Sequence, residues 1–166
     1  MENETLVENQ NNEIGMFKDV MRSENDVYRI ARREYKGRHF VDVRIYYRSK
    51  QASDDLLPTR KGICLEETLR QDLIEGLIRA RQSSLPEKTE GEGIQSISIC
   101  DIPVSDNEVC RISKGQGKKN AFVDIRRFFS KNGGYVPYKH KGVCIAEAAL
   151  DDVITGLIDL ESSIAS

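Results

Sequence analysis

Phe40-Val-Asp-Val-Arg-Ile-Tyr-Tyr47 is followed eighty-two positions later by Phe122-Val-Asp-Ile-Arg-Arg-Phe-Phe129, so this chain of 166 residues contains an internal repeat. Each copy then runs through a polar loop to Lys-Gly, at residues 61–62 and 141–142, and on to an amphipathic segment with a central glycine. A unit of this length buries too little surface to be stable by itself. The repeat therefore predicts two modules that pack against each other within one chain.

The long repeated segment has the period of a half-buried strand. Val41, Val43 and Ile45 alternate with Asp42 and Arg44, which makes one face apolar and the other charged. Strands are predicted over residues 27–35, 38–48 and 62–65, and in the second copy near 109–115 and 120–129. Turns are expected at residues 36–37 and 132–134, where glycine suits a tight hairpin.

A helix is predicted at the end of each copy, because apolar residues recur there at helical spacing. A glycine interrupts both helices at the same point, at a cost of about 1 kcal/mol each relative to alanine. We expect the helices to approach each other backbone to backbone at these glycines, across a pseudo-two-fold axis; the alternative is that glycine is merely tolerated at both places. The residues expected to pack the modules together are Leu73, Gly76, Leu77, Val153, Gly156 and Leu157.

The predicted fold class is α+β, with two copies of a four-stranded antiparallel sheet and one C-terminal helix, packed as an intramolecular pseudo-dimer. Residues 1–26 are expected to be an acidic, flexible N-terminal segment. Residues 27–81 form the first module and residues 109–164 the second. Residues 82–108 are predicted to be a linker, in which Ile97-Ser-Ile99 alternates as a short extra strand would.

Composition and charge limit the function classes. No apolar run is long enough to span a membrane, and the acidic start has no hydrophobic signal core, so an intracellular protein is expected. The net charge of −2 conceals a strong segregation. Residues 27–65 carry ten Lys and Arg against four Asp and Glu, and residues 109–145 carry nine against one. Such a basic surface on otherwise acidic modules attracts a polyanion to one region, although a solvated face with ordinary salt bridges is the alternative.

No residue pattern supports an enzyme, a metal site or a cofactor. Asp42 and Asp124 repeat, but each lies two residues before an arginine on the same face, and an ion pair explains it at least as well as acid-base chemistry. The four cysteines form no Cys-x-x-Cys pair, and His39 has no counterpart in the second copy. A duplicated catalytic site should repeat its catalytic residue, so we expect neither catalysis nor a cofactor.

Aromatic and basic residues surround the ends of the predicted strands in both copies. Rings can stack on nucleic-acid bases while cations contact phosphates, although aromatic residues at strand ends are commonly core or interface residues as well. The residues predicted to bind nucleic acid are Arg33, Tyr35, Lys36, Arg38, Arg44, Tyr47, Arg60 and Lys61 in the first copy, and Lys114, Lys118, Lys119, Arg126, Phe129, Lys139 and Lys141 in the second.

These residues carry a family resemblance. Tyr35-Lys-Gly-Arg38, the strand that follows it, and Pro58-Thr-Arg-Lys-Gly-Ile-Cys-Leu65 before a helix resemble the C-terminal domain of the positive cofactor 4 family of transcriptional coactivators. That family's signature runs Phe-Lys-Gly-Lys, Ile-Asp-Ile-Arg-Glu-Tyr-Trp, a loop, Arg-Lys-Gly-Ile-Ser-Leu and a helix. The resemblance covers residues 27–81 and again 109–162. It implies a curved four-stranded sheet with one helix, homodimers packed through their helices, and binding of single-stranded or unpaired DNA.

Carried over by position, the family's base-stacking tryptophan corresponds to Tyr47 and Phe129. Its hairpin phenylalanine corresponds to Tyr35, but Gly117 stands there in the second copy. Its basic contacts correspond to Arg33, Lys36, Arg38, Arg44 and Lys61, and to Lys118, Arg126 and Lys141. Gly115 and Asn120 replace the remaining two in the second copy, so the two halves are expected to bind unequally. The family's serine-rich tail has no counterpart here.

The sequence thus predicts a non-enzymatic, intracellular, single-stranded DNA-binding protein that acts as a monomeric pseudo-dimer. Its expected setting is transcription regulation or DNA recombination and repair, with transcription or repair proteins as further partners. The compartment would be the nucleoid or cytoplasm of a bacterium, or the nucleus of a eukaryote. An interaction scaffold for acidic protein segments and a single-stranded RNA-binding protein remain as alternatives, because the same charged surface would serve them.

Overall fold

The computed structural model of the chain describes residues 17–50, 55–85 and 95–165. Over these residues the chain forms two four-stranded antiparallel sheets, each followed by a helix, with strand orders β1-β2-β3-β4 and β5-β6-β7-β8. The predicted α+β fold class is confirmed. The elements are β1 (Phe17–Met21), β2 (Asp26–Tyr35), β3 (Arg38–Arg48), β4 (Leu56–Glu66), a 3-10 turn (Glu67–Leu69), α1 (Arg70–Gln82), β5 (Gln95–Ser105), β6 (Glu108–Gln116), β7 (Ala121–Lys131), β8 (Gly134–Ala146) and α2 (Glu147–Ala165).

Two tight turns set the register of the long strands. Lys36 and Gly37 have φ angles of 51° and 78°, and Asn132 and Gly133 have φ angles of 50° and 83°. Two consecutive residues with positive φ are typical of a type I′ turn, whose twist matches that of the strands it joins. The turns expected at these two places are confirmed, and the alternation they set buries Val41, Val43 and Ile45 on the core face.

The first strand of each sheet was only partly expected. β1 lies inside the segment predicted to be flexible, and β5 runs for eleven residues through the predicted linker, so the second sheet begins at Gln95. Both are edge strands held by a cross-strand ion pair, Asp19 with Arg29 and Asp101 with Arg111. The repeat already contained this signal, because the two aspartates are also eighty-two positions apart. Residues 1–16 and 86–94 of those two predicted segments lie outside the described residues.

Each helix packs against the sheet of the other module. A Cβ atom built on Gly76 of α1 would lie 2.4 Å from Ile112 Cδ1 in β6 and 2.9 Å from Cys100 Sγ in β5. A Cβ atom on Gly156 of α2 would lie 2.9 Å from Ile30 Cδ1 in β2. The expectation that these glycines bring two helix backbones together is therefore wrong. Each glycine instead makes room for an isoleucine of a strand, which explains why both copies keep it.

The two modules consequently share one hydrophobic core. Leu73 and Leu77 of α1 and Val153 and Leu157 of α2 are all buried in a single cluster that continues into both sheets. Arg70 Nη1 also donates to the carbonyl oxygen of Leu157, 3.5 Å away, which links the helices. The arrangement is that of an intramolecular pseudo-dimer, in which neither module has a complete core without the other.

Replacing Gly76 with valine is expected to lower the free energy of unfolding by about 1–3 kcal/mol, because the added side chain overpacks the space filled by Ile112. Glu75→Val is the matched control, since this neighbouring residue is exposed on the same helix. Urea denaturation measures both. Equal stability of the two variants would contradict the tight helix-to-strand contact.

Candidate nucleic-acid interface

The repeated Asp, Arg and Gly form one structural unit in the first sheet. The guanidinium of Arg44 donates to Asp42 through Nε (3.1 Å) and Nη2 (3.0 Å), and through Nη1 to the carbonyl oxygen of Thr59 (3.0 Å). It lies over Gly62 in β4, where a Cβ atom would come within 2.5 Å of Arg44 Cζ. Only glycine leaves space for the guanidinium at this position.

The second sheet repeats this unit with nearly the same geometry. Arg126 donates to Asp124 at 3.1 and 3.2 Å, and a Cβ atom on Gly142 would lie 2.6 Å from Arg126 Cζ. The ion-pair interpretation of the two aspartates therefore agrees with their geometry. Arg44 and Arg126, which were predicted to contact phosphate, have carboxylate partners within the fold, and a phosphate would have to compete with those partners.

Two further predicted phosphate ligands lie in the interior. Arg33 is 3% exposed and donates to the Tyr46 hydroxyl at 2.7 Å, with Asp42 Oδ2 at 3.6 Å. Lys114 is 5% exposed and donates to the carbonyl oxygen of Ser83 at 2.6 Å, at the C-terminal end of α1, where a positive charge is favourable. Because neither group is accessible, both are left out of the proposed interface.

A difference between the two copies of the repeat indicates that Arg33 is buried. In the second copy, Gly115 stands at its position, and the ring of Phe122 lies over that glycine. Phe128 stands at the position of Tyr46, so the hydroxyl disappears together with the arginine that donates to it. Paired changes of this kind are typical of contacting residues within a packed sheet.

The turn between the second and third strands of each sheet carries accessible cations, and we call this the hairpin end. In the first sheet Lys36 and Arg38 are exposed; Lys36 Nζ lies 5.2 Å from the ring centroid of Tyr35, and Arg38 pairs with Glu66. In the second sheet a four-residue turn, 117–120, presents exposed Lys118 and Lys119.

Aromatic rings lie at the opposite end of each sheet. Tyr47 is 44% exposed and pairs across the strands with Leu57, and Arg60 and Lys61 follow in an irregular stretch of β4. In the second sheet Phe129 is half-buried because Tyr138 packs against it, with ring centroids 4.8 Å apart. Lys141 Nζ lies 4.5 Å from the Tyr138 ring centroid.

Sequence reasoning missed Tyr135 and Tyr138. Tyr135 is 43% exposed, and both residues lie in β8, in a stretch that looked like loop by its glycines and basic residues. The strand pairing supplies the alignment that the sequence lacked: Pro58 pairs with Tyr46 and Pro137 with Phe128. Tyr138 thus corresponds to Thr59 of the first copy.

The predicted residues therefore differ in accessibility. Those that are exposed are Lys36, Arg38, Tyr47, Arg60, Lys61, Lys118, Lys119 and Lys139. Those that are half-buried are Tyr35, Arg44, Arg126, Phe129 and Lys141. In the first sheet the exposed Lys36 lies beside the Tyr35 ring at the hairpin end, and in the second sheet the half-buried Lys141 lies beside the Tyr138 ring at the opposite end.

The cysteines show no sign of activation. Burial is the main cause that raises the pKa of Cys64 and Cys110 to about 12. These thiols are protonated at neutral pH and are poor nucleophiles. The equivalent Cys64 and Cys144 differ in accessibility, since Cys64 is half-buried and Cys144 is exposed. Within the described ranges, no group of three or more His, Cys, Asp and Glu side chains is placed to hold a metal ion.

Comparison with known proteins gives a family match to the first module. Residues 23–76 match the family described as Transcriptional Coactivator p15 (PC4). The crystal structure of BPSL1147, a PC4 homolog from Burkholderia pseudomallei K96243, is 36% identical and covers 40% of this chain and 88% of its own, with a TM-score of 0.37. The crystal structures of Trypanosoma brucei MRP1/MRP2 are 10% identical over 90% of this chain and 88% of theirs, with a TM-score of 0.36. No curated protein matches the chain significantly.

Proposed function

This chain belongs to the transcriptional coactivator p15 (PC4) family, and on that premise we propose that it binds single-stranded DNA without sequence preference and without catalysis. The observation that carries the proposal is the placement of exposed cations beside aromatic rings at the ends of the sheets. The exposed Lys36 lies beside Tyr35, and the half-buried Lys141 lies over Tyr138. The exposed Arg60 and Lys61 belong to β4, the strand that pairs with the end of β3 that carries Tyr47. Phosphates and bases of one strand would find both kinds of partner there.

Flexible single strands suit this surface because their bases are available for stacking. Stacking on a ring contributes about 1–3 kcal/mol per base and tolerates any base, since every base has an aromatic face. In a duplex the bases are stacked on each other, so only the phosphate contacts would remain. The acidic helix α2 and the acidic segments outside the two basic regions would direct the polyanion toward the sheets.

The biological setting proposed for this activity is transcription regulation or DNA recombination and repair, inside the cell. A protein that coats transiently unpaired DNA would serve each of these processes. Among the described residues, no helix is long and apolar enough to cross a membrane.

Affinity for a single strand is expected to fall steeply with salt. Each phosphate contact adds about −0.7 to the slope of log K against log salt, so about six contacts give roughly a 300-fold loss between 50 and 200 mM. Fluorescence anisotropy with a labelled single-stranded oligonucleotide measures the slope. The same series with duplex DNA and with single-stranded RNA of equal length provides the comparison. Binding to the duplex that equals or exceeds binding to the single strand would refute the proposal. Tighter binding of the RNA than of the DNA would identify single-stranded RNA as the ligand.

A further inference from the structure

The two modules differ at the hairpin end. The first module carries a ring and two cations there, Tyr35 with Lys36 and Arg38. At the positions of Tyr35 and Arg38 the second module has Gly117 and Asn120, in a wider turn closed by a hydrogen bond from Gly117 N to Asn120 O at 3.0 Å. The second hairpin can therefore contact phosphates through Lys118 and Lys119, but it has no ring at the position of Tyr35.

The opposite end shows the reverse difference. There the first module presents the ring of Tyr47 beside the aliphatic Leu57. The second module presents Phe129 and Tyr138 in contact, and it carries Tyr135 where the strand pairing places Leu56 in the first module. The second module thus lacks the ring of Tyr35 at its hairpin end but carries two additional rings, Tyr135 and Tyr138, at its other end.

Symmetry decides what such a difference means for a bound strand. A strand that crosses a true two-fold axis runs in opposite senses over the two identical halves, so reversing it regenerates the same complex. A symmetric dimer therefore holds a strand that spans both halves equally well in either direction. When the halves differ, the two directions are different complexes with different free energies.

We propose that a single strand long enough to contact both modules binds this protein in one polarity. The inference rests on the proposed function and adds a direction to it. Because the rings lie at the hairpin end of the first module and at the opposite end of the second, the two directions place the 5′ and 3′ parts of the strand on different sets of rings. A difference of one stacked base corresponds to a preference of about five-fold or more for one direction.

The test uses two oligonucleotides of identical sequence, with a single 2-aminopurine near the 5′ end in one and near the 3′ end in the other. Stacking of this base on a tyrosine lowers its emission, and the chain contains no tryptophan that would interfere. Tyr35→Ala removes a ring from the first module and Tyr138→Ala one from the second. Fixed polarity predicts that each substitution restores the emission of a different probe, whereas mixed polarity predicts that each affects both probes equally.

Equal effects on the two probes would overturn the proposal while leaving single-strand binding intact. Absence of any binding by the wild-type protein at low salt would overturn the proposed function and the polarity with it. Circular dichroism checks the fold of the variants, because Tyr138 packs against Phe129. Should Tyr138→Ala unfold, Tyr135→Ala removes an exposed ring from the second module instead and gives the same readout.

Discussion

Replacing Asp42 with asparagine is expected to lower the free energy of unfolding by about 3–5 kcal/mol. The carboxylate is 0% exposed and lies between two guanidinium groups, Arg44 at 3.0 Å and Arg33 at 3.6 Å. An amide in its place would remove the negative charge that both guanidinium groups face in the interior of the sheet. Because the two modules share one core, the loss should appear as a single shift of the whole unfolding transition.

Asp124→Asn is the matched control in the second module. Its side chain is 21% exposed and pairs with the guanidinium of Arg126, and Gly115 stands at the position of Arg33. Solvent screens such a pair, so the expected loss is about 1 kcal/mol. Urea denaturation of the two variants at neutral pH gives the comparison. Equal losses of stability in the two variants would show that neither the deeper burial of Asp42 nor its second guanidinium partner makes it more important to the fold than Asp124.

The double substitution Tyr47→Ala and Phe129→Ala is expected to weaken binding of a single strand by about 30-fold or more, because two stacked bases lose their rings. The slope of affinity against salt should stay constant, since neither substitution removes a charge. Anisotropy titrations over a salt series measure both quantities. Ile158→Ala is the control, because this residue is an exposed apolar side chain on α2, away from the proposed interface.

The same double variant separates the proposed function from the interaction scaffold. A surface that binds acidic protein segments by charge would keep its affinity for an acidic peptide and for DNA when the two rings are removed. Unchanged DNA affinity at every salt concentration would therefore favour the scaffold. Loss of DNA affinity with the expected salt slope would favour base stacking.

Much of the fold was predictable because the chain repeats it. The eighty-two-residue offset indicated two equivalent sheets, and positive φ at Lys36-Gly37 and Asn132-Gly133 follows from local turn chemistry. The two edge strands were harder to predict, because their stability comes from pairing with β2 and β6 and their own residues give a weak alternation.

The accessibility of the candidate site was not predictable in the same way. Arg33 and Lys114 are basic residues in a basic segment, and nothing local tells them apart from Lys36 or Lys61. Their partners are Tyr46 and Asp42 on the next strand for Arg33, and Ser83 at the end of a helix from the other module for Lys114. Burial of a charge depends on such distant partners, which sequence spacing does not specify.

The sequence by itself determined the duplication, the α+β class and the segregation of charge, because each is a pattern of residue types along the chain. The tertiary structure decided that each helix covers the other module's sheet. It also decided that Gly76 and Gly156 accommodate isoleucines of that sheet, and that several of the arginines and lysines stabilise the fold. The physical reason is that hydrophobic burial and ion pairing are satisfied by whichever groups meet in space. In this chain those groups commonly come from opposite halves.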